Sequence, residues 1–187
     1  MQTEKACQAI CELLDVMQTL RSPGGCPWDA EQTPHSLAPY VLEEAAEVVD
    51  AIESGDPAAI QDEAGDLLLQ VVFLAQIFRE RDVFDFSDVA TGISRKLIRR
   101  HPHVFEQRNR ELSSAELDQQ WERIKRSEKS AEDCAPHPLG HIPVNLPALQ
   151  RAAKVLDRAR KNDTLSRLDV ADSTAAPITE EELGLEL

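Results

Sequence analysis

Two short clusters of acids carry most of the chemistry open to this 187-residue chain: Glu43, Glu44 and Glu47, then Glu63 and Asp66. On a helix each residue turns about 100°. Measured from Glu44, Leu37 lies at roughly 20°, Val48 at 40°, Val41 at 60° and Ala51 at −20°, which puts Glu44 inside an apolar stripe with Glu47 on its edge. Glu63 is placed the same way, with Leu74 at roughly 20°, Leu67 at 40°, Ile60 at 60° and Ile77 at −40°, and Asp66 on the edge. Acids on a polar face would signify nothing. On a buried face an uncompensated carboxylate is costly and tends to take up a proton, so something must offset it.

A helical hairpin supplies the reason. Gly55 is midway between Glu47 and Glu63 and also midway between Glu44 and Asp66. An antiparallel pair folded about Gly55 sets Glu47 opposite Glu63 and Glu44 opposite Asp66, and Gly65 is expected to let the two helices approach closely. Four converging carboxylates without His or Cys suit a hard cation, Mg²⁺ or Mn²⁺. A ferritin-like di-iron site would need Glu-x-x-His, which neither cluster contains. The bland alternative is a set of solvated surface acids, or buried acids paired with Arg. A cation held by carboxylates serves phosphate substrates, because it keeps positions open for phosphate oxygens and water. The densest basic run, Arg95 to Arg100, offers counter-charge through Lys96 and Arg100, one turn apart. Read blandly, it is a solvated face that favours a helix C-terminus.

These side chains need helices to position them, and the periodicity provides them. Residues 4–20 carry Ile10, Leu13, Leu14, Met17 and Leu20 at helical spacing. The Ser22-Pro23-Gly24-Gly25-Cys26-Pro27 stretch breaks that helix, and Pro34 extends the irregular segment. Helical period resumes from Ser36, read as an N-cap, to Glu53. Ser54-Gly55-Asp56-Pro57 reads as a stop, a cap and a first-turn proline for a helix running to about Arg81. Further helices are expected over Ser87–Arg100 and Ser114–Lys129, the latter with Leu117, Trp121 and Ile124 on one face. No stretch alternates long enough to build a sheet. The expected fold is all-α, an antiparallel bundle of about five helices over residues 1–130. Residues 131–187 are expected to add a Pro-rich linker, a short helix over Leu149–Lys161 and a polar acidic tail.

Composition narrows the partners. The chain is 42% hydrophobic with 34 acids against 20 bases, net −14, which disfavours both polyphosphate backbones and anionic lipid. Neither nucleic acid nor membrane is therefore an expected partner. The most apolar run, Leu67 to Phe78, is broken by Gln70 and Gln76 and is too short to span a bilayer. The N-terminus does not read as a signal peptide. Cys7, Cys11, Cys26 and Cys134 form no Cys-x-x-Cys pair, so reduced thiols in a cytoplasmic protein are expected, without zinc.

Glu43-Glu44-x-x-Glu47 followed by Glu63-x-x-Asp66 resembles the signature of the MazG-type all-α nucleoside triphosphate pyrophosphohydrolases. So do Cys26-Pro27-Trp28-Asp29, the Gly65-to-Val72 run, Arg99-Arg100-His101-Pro102-His103-Val104-Phe105 and Trp121-Glu122-x-Ile124-Lys125. The resemblance covers about residues 8–130 as a single such domain. It implies hydrolysis between the α and β phosphates, releasing monophosphate and pyrophosphate. It implies Glu44, Glu47, Glu63 and Asp66 as Mg²⁺ ligands and Lys96 and Arg100 as triphosphate contacts. Trp121 would lie against the nucleotide, and Glu43 would orient or deprotonate water. Trp28, His101 and His103 are read as structural. A homodimer is also implied. Longer relatives carry two such domains, and Leu146–Ala152 resembles the linker between them, but no second carboxylate constellation follows. The rival readings are a non-catalytic dimeric nucleotide-binding module and a related enzyme acting on dUTP or a biosynthetic nucleotide.

Overall fold

The computed structural model describes residues 2–106, 112–128 and 142–161. Eight helices and no strand occur among them: α1 (Gln2–Arg21), α2 (Pro27–Glu31), α3 (Pro34–Ser54), α4 (Pro57–Arg79), α5 (Phe86–Arg100), α6 (Pro102–Phe105), α7 (Ser114–Ser127) and α8 (Ala148–Lys161). The all-α expectation holds. The chain divides into two compact units, residues 1–113 and 114–187. Helix α7 belongs to the second of these units. Most of the expected linker and all of the acidic tail, with Cys134, lie outside the described residues.

Local chemistry explains where the helices start and stop. Helix α3 begins two residues earlier than expected. Thr33 is the cap: its side chain accepts from the Ser36 N–H, and Ser36 Oγ accepts from the Thr33 N–H. Ser36 is therefore the reciprocal member of a capping box and not the cap itself. Proline at the first helical position of α2, α3 and α4 comes pre-set for a helix and lacks an N–H that would have no partner there. Helix α2 occupies part of the stretch expected to be irregular. Before it, Gly25 has no substitute, because a Cβ there would collide with the backbone carbonyls of Thr19 and Leu20.

The core of the first unit forms where α1, α3 and α4 meet. Met17, Leu37, Val72, Phe73 and Ile77 are buried together, with Leu13, Leu14, Leu68, Leu69, Leu74 and Phe86 packed around them. One charged anchor pins α1 to the end of α4. Arg21 Nε and Nη2 donate to Glu80 Oε1 and Oε2 at 2.8 and 2.7 Å. Arg21 Nη1 donates to the Asp29 and Gln32 carbonyls, and the guanidinium lies over the Phe73 ring at 5.4 Å. One residue thus ties α1, α2 and α4 together. The hydrogen bonds from Arg21 and Gln76 hold the Glu80 carboxyl below its usual range against the opposing effect of burial.

Candidate functional site

Helices α3 and α4 form the hairpin that carries the acids. Gly55 closes it with φ 72°, a left-handed conformation that glycine adopts without a Cβ penalty, and its N–H reaches the Ala51 and Ile52 carbonyls. Asp56 then caps α4, accepting from the Ala58 N–H at 3.0 Å. The inward stripes match the helical arithmetic: Leu37 and Ala51 are buried on α3, Ile77 is buried on α4, and Val41, Val48, Ile60, Leu67 and Leu74 are half-buried.

Glu44, Glu63 and Asp66 come together at this hairpin, each offering an oxygen, and the three oxygens lie within 4.8 Å of one another. The Glu47 charge bears on both Glu44 and Glu63. Partial desolvation raises the Glu44 carboxyl above its usual range, followed by the charges of Asp66, Glu47 and Glu63. Partial desolvation also raises Glu63, followed by Glu47, Asp62 and Asp66. Among charges, Asp66 weighs most on Glu44 and Glu47 weighs most on Glu63, which is the mirror pairing about Gly55. No ion pair from a Lys or Arg to these acids occurs among the described residues. Oxygen-only donors that repel one another fit a hard divalent cation.

Two expectations are corrected. The acids are not deeply buried: Glu44 and Glu63 are half-buried, while Glu47 and Asp66 are exposed. The hairpin leaves them partly open to solvent. Gly65 does not mediate close approach, since it is exposed and a Cβ there would meet nothing within 4 Å. It sits about 200° round α4 from Glu63 and so points away from α3. Trp28, read as a packing residue, is 53% exposed and meets Tyr40 edge-on, with ring centroids 6.2 Å apart.

The remaining candidates are more dispersed. Glu43 is exposed beside the cluster and is not part of it. On α5, Lys96 is exposed and Arg100 half-buried. Trp121 is half-buried on α7, in the second unit. His101 Nδ1 meets the Leu97 carbonyl at 2.7 Å, which suits a structural role at the end of α5. His103 stands beside it with ring centroids 5.7 Å apart, and its Nδ1 is buried without a partner.

One residue near the site went unassigned in the sequence. Gln70 is only 7% exposed, and its Oε1 is buried with no hydrogen-bond partner. An unpaired buried amide oxygen costs about 1–3 kcal/mol. Gln70 lies at about −20° from Glu63 on α4, so the helical arithmetic that found the acids also puts a polar side chain on the inward stripe.

Residues 32–105 match a family model described as the MazG nucleotide pyrophosphohydrolase domain. Among known proteins, the chain is 51% identical over 150 residues to a nucleoside triphosphate pyrophosphohydrolase of Escherichia coli K12, covering 80% of this chain and 56% of that protein. It is 44% identical over 148 residues to the nucleoside triphosphate pyrophosphohydrolase/pyrophosphatase MazG of Thermotoga maritima, covering 79% and 55%. A Mycobacterium tuberculosis nucleoside triphosphate pyrophosphohydrolase is 38% identical over 156 residues, covering 82% and 46%. The chain thus spans about half the length of these relatives. The crystal structure of a mazG-related protein from Thermotoga maritima shares the fold, with a TM-score of 0.52 and 24% identity over 62% of this chain and 97% of that one.

Proposed function

We infer that this chain, in which residues 32–105 form a MazG-type domain, hydrolyses nucleoside triphosphates to nucleoside monophosphate and pyrophosphate. The observation that carries this reading is the trio Glu44, Glu63 and Asp66, with oxygens within 4.8 Å of one another and no cation among the described side chains to neutralise them. Glu47 completes a four-carboxylate set. These residues would hold Mg²⁺ or Mn²⁺, for which an oxygen-only donor set is suited. A divalent cation bound there supplies charge neutralisation at the phosphates and acidifies a coordinated water.

The chain's own groups divide the remaining work. In the reaction, water oxygen bonds to the α phosphorus, the bond from α phosphorus to the bridging oxygen breaks, and pyrophosphate leaves with that oxygen. Glu43, exposed beside the cluster, orients the water and accepts its proton. Lys96 and Arg100 take the triphosphate's negative charge. A homodimer would cover the carboxylate cluster. Exposed Leu42, Val49 and Ile52 on α3 and Val89, Ile93 and Leu97 on α5 support an additional partner surface. The substrate pool and the free thiols of Cys7, Cys11 and Cys26 fit a cytoplasmic setting, and no described helix is long and apolar enough to cross a membrane.

The test is product identification. Purified protein incubated with a panel of ribo- and deoxyribonucleoside triphosphates, dUTP included, should release pyrophosphate with Mg²⁺ and none with EDTA. Diphosphate plus phosphate as products would place the attack at another phosphorus and sink the reading. Tight binding with no turnover would leave a nucleotide-binding module.

A further inference from the structure

Tyr40, Glu44 and Glu47 fall along one edge of α3. Measured from Glu44, Tyr40 lies at about −40°, one turn before it, and Glu47 at about −60°, almost one turn after it. Tyr40 and Glu47 are exposed and Glu44 is half-buried, so the edge that carries the carboxylates continues in the open onto an aromatic ring. Beside Tyr40 stands Trp28, from α2, with ring centroids 6.2 Å apart and the planes at 72°. More than half of Trp28 is open to solvent, and Tyr40 is 38% exposed.

The exposure of Trp28 does not come from a loosely held backbone. Gln32 Nε2 donates to the Trp28 carbonyl at 2.9 Å, and Ser36 Oγ donates to Gln32 Oε1 at 2.7 Å, which ties α2 to the first turn of α3. From the other side, Arg21 donates to the Asp29 and Gln32 carbonyls. The chain beneath Trp28 is thus fixed while the indole stays in water. A tryptophan gains much from burial, so a ring held out by a fixed backbone points to a partner that arrives from outside. Glu31 and Glu43 are helical neighbours of the two rings, three residues on from each, and both are exposed. A small aromatic surface rimmed by acids suits a flat, uncharged ring better than it suits an apolar protein patch.

We propose that Trp28, with Tyr40 beside it, is the platform on which the nucleobase stacks while the triphosphate lies at the carboxylate cluster. One helical turn of about 5.4 Å separates Tyr40 from Glu44 along α3, and ribose and base extend from an α phosphate on that scale. Stacking on a ring face tolerates every base, so this contact gives affinity without choosing among them. The inference rests on the triphosphate reading above and adds to it the group that holds the base.

The experiment compares wild type with Trp28→Ala and Trp28→Phe. Pyrophosphate release is measured with ATP, CTP, GTP and UTP, inhibition with inorganic triphosphate, and oligomeric state by sedimentation. Trp28→Ala should lower kcat/KM by about tenfold or more for all four nucleotides, the size of one base–aromatic stack. Trp28→Phe should recover most of that loss. The inhibition constant of inorganic triphosphate, which has no base, should stay as in wild type. A parallel loss of triphosphate inhibition makes Trp28 purely structural and overturns the proposal, as do unchanged nucleotide kinetics. A Trp28→Ala protein that changes only its oligomeric state assigns the ring to a protein contact and overturns it too.

A second readout needs neither the alanine variant nor turnover. In Trp121→Phe the only tryptophan left is Trp28. Its fluorescence should be quenched by α,β-methylene ATP with Mg²⁺ and not by inorganic triphosphate. No quenching by the nucleotide overturns the stack. A wild type that releases no pyrophosphate from any nucleotide overturns the hydrolase reading alone, and the fluorescence still decides on Trp28.

Discussion

Carboxyl oxygens of Glu44 on α3 and Asp66 on α4 lie within 4.8 Å of each other across the hairpin. After partial desolvation, the Asp66 charge does most to hold Glu44 above its usual pKa range. The hairpin thus keeps like charges together.

Replacing Glu63 by Gln removes one oxygen anion from the trio while keeping the side-chain shape. Metal-dependent pyrophosphate release should fall by at least about 100-fold, as expected when an essential ligand is lost. The helical circular dichroism should stay unchanged, and the metal-free melting temperature should hold or rise because repulsion is relieved. A fully active Glu63→Gln protein would rule out the metal assignment.

The pH dependence of the metal-free protein has a definite sign. Glu44 and Glu63 have folded pKa values raised above the ordinary 4.5. Between the unfolded and folded values the native state binds more protons, so their contribution is full below the unfolded value and is lost as pH rises through the folded values. Melting temperatures in EDTA across that window should show this decline, and Glu63→Gln should reduce it. Protons also compete with the cation, so Mn²⁺ affinity measured by titration should weaken as pH falls through the raised values.

Arg21 and Glu80 give the opposite sign. The folded pKa of Glu80 is lowered, mainly by its hydrogen bond from Arg21. Its contribution is therefore present above the unfolded value and is lost as pH falls through the lowered one. Arg21→Met should cost about 2–3 kcal/mol in urea unfolding, because the Asp29 and Gln32 carbonyls lose their donor along with Glu80. Glu80→Gln should cost under about 1 kcal/mol, since that carboxylate is partly solvated.

Two glycines should respond oppositely to alanine. Gly55→Ala should destabilise by about 1 kcal/mol, because φ 72° crowds a Cβ. Gly65→Ala should stabilise by about 0.5–1 kcal/mol, because the site is open and alanine is the better helix former. Chemical denaturation reads both. A destabilised Gly65→Ala protein would mean that another surface packs against that face.

How much of this was legible in the sequence follows from how local each cause is. Helix period, capping residues and the symmetry of Glu44, Glu47, Glu63 and Asp66 about Gly55 are properties of neighbouring residues along one chain. They determined the all-α class, the hairpin and the trio brought together at its mouth. Position on an inward stripe did not determine how deep a residue lies. Glu44 is half-exposed because burial depends on what covers the stripe, and a hairpin by itself covers only one side. The open face of Gly65, the exposure of Trp28, the anchoring role of Arg21 across α1, α2 and α4, and the unpaired oxygen of Gln70 depend on which side chains meet across elements distant in sequence. Hydrogen-bond satisfaction is a property of the packed neighbourhood, so only the tertiary structure could decide these.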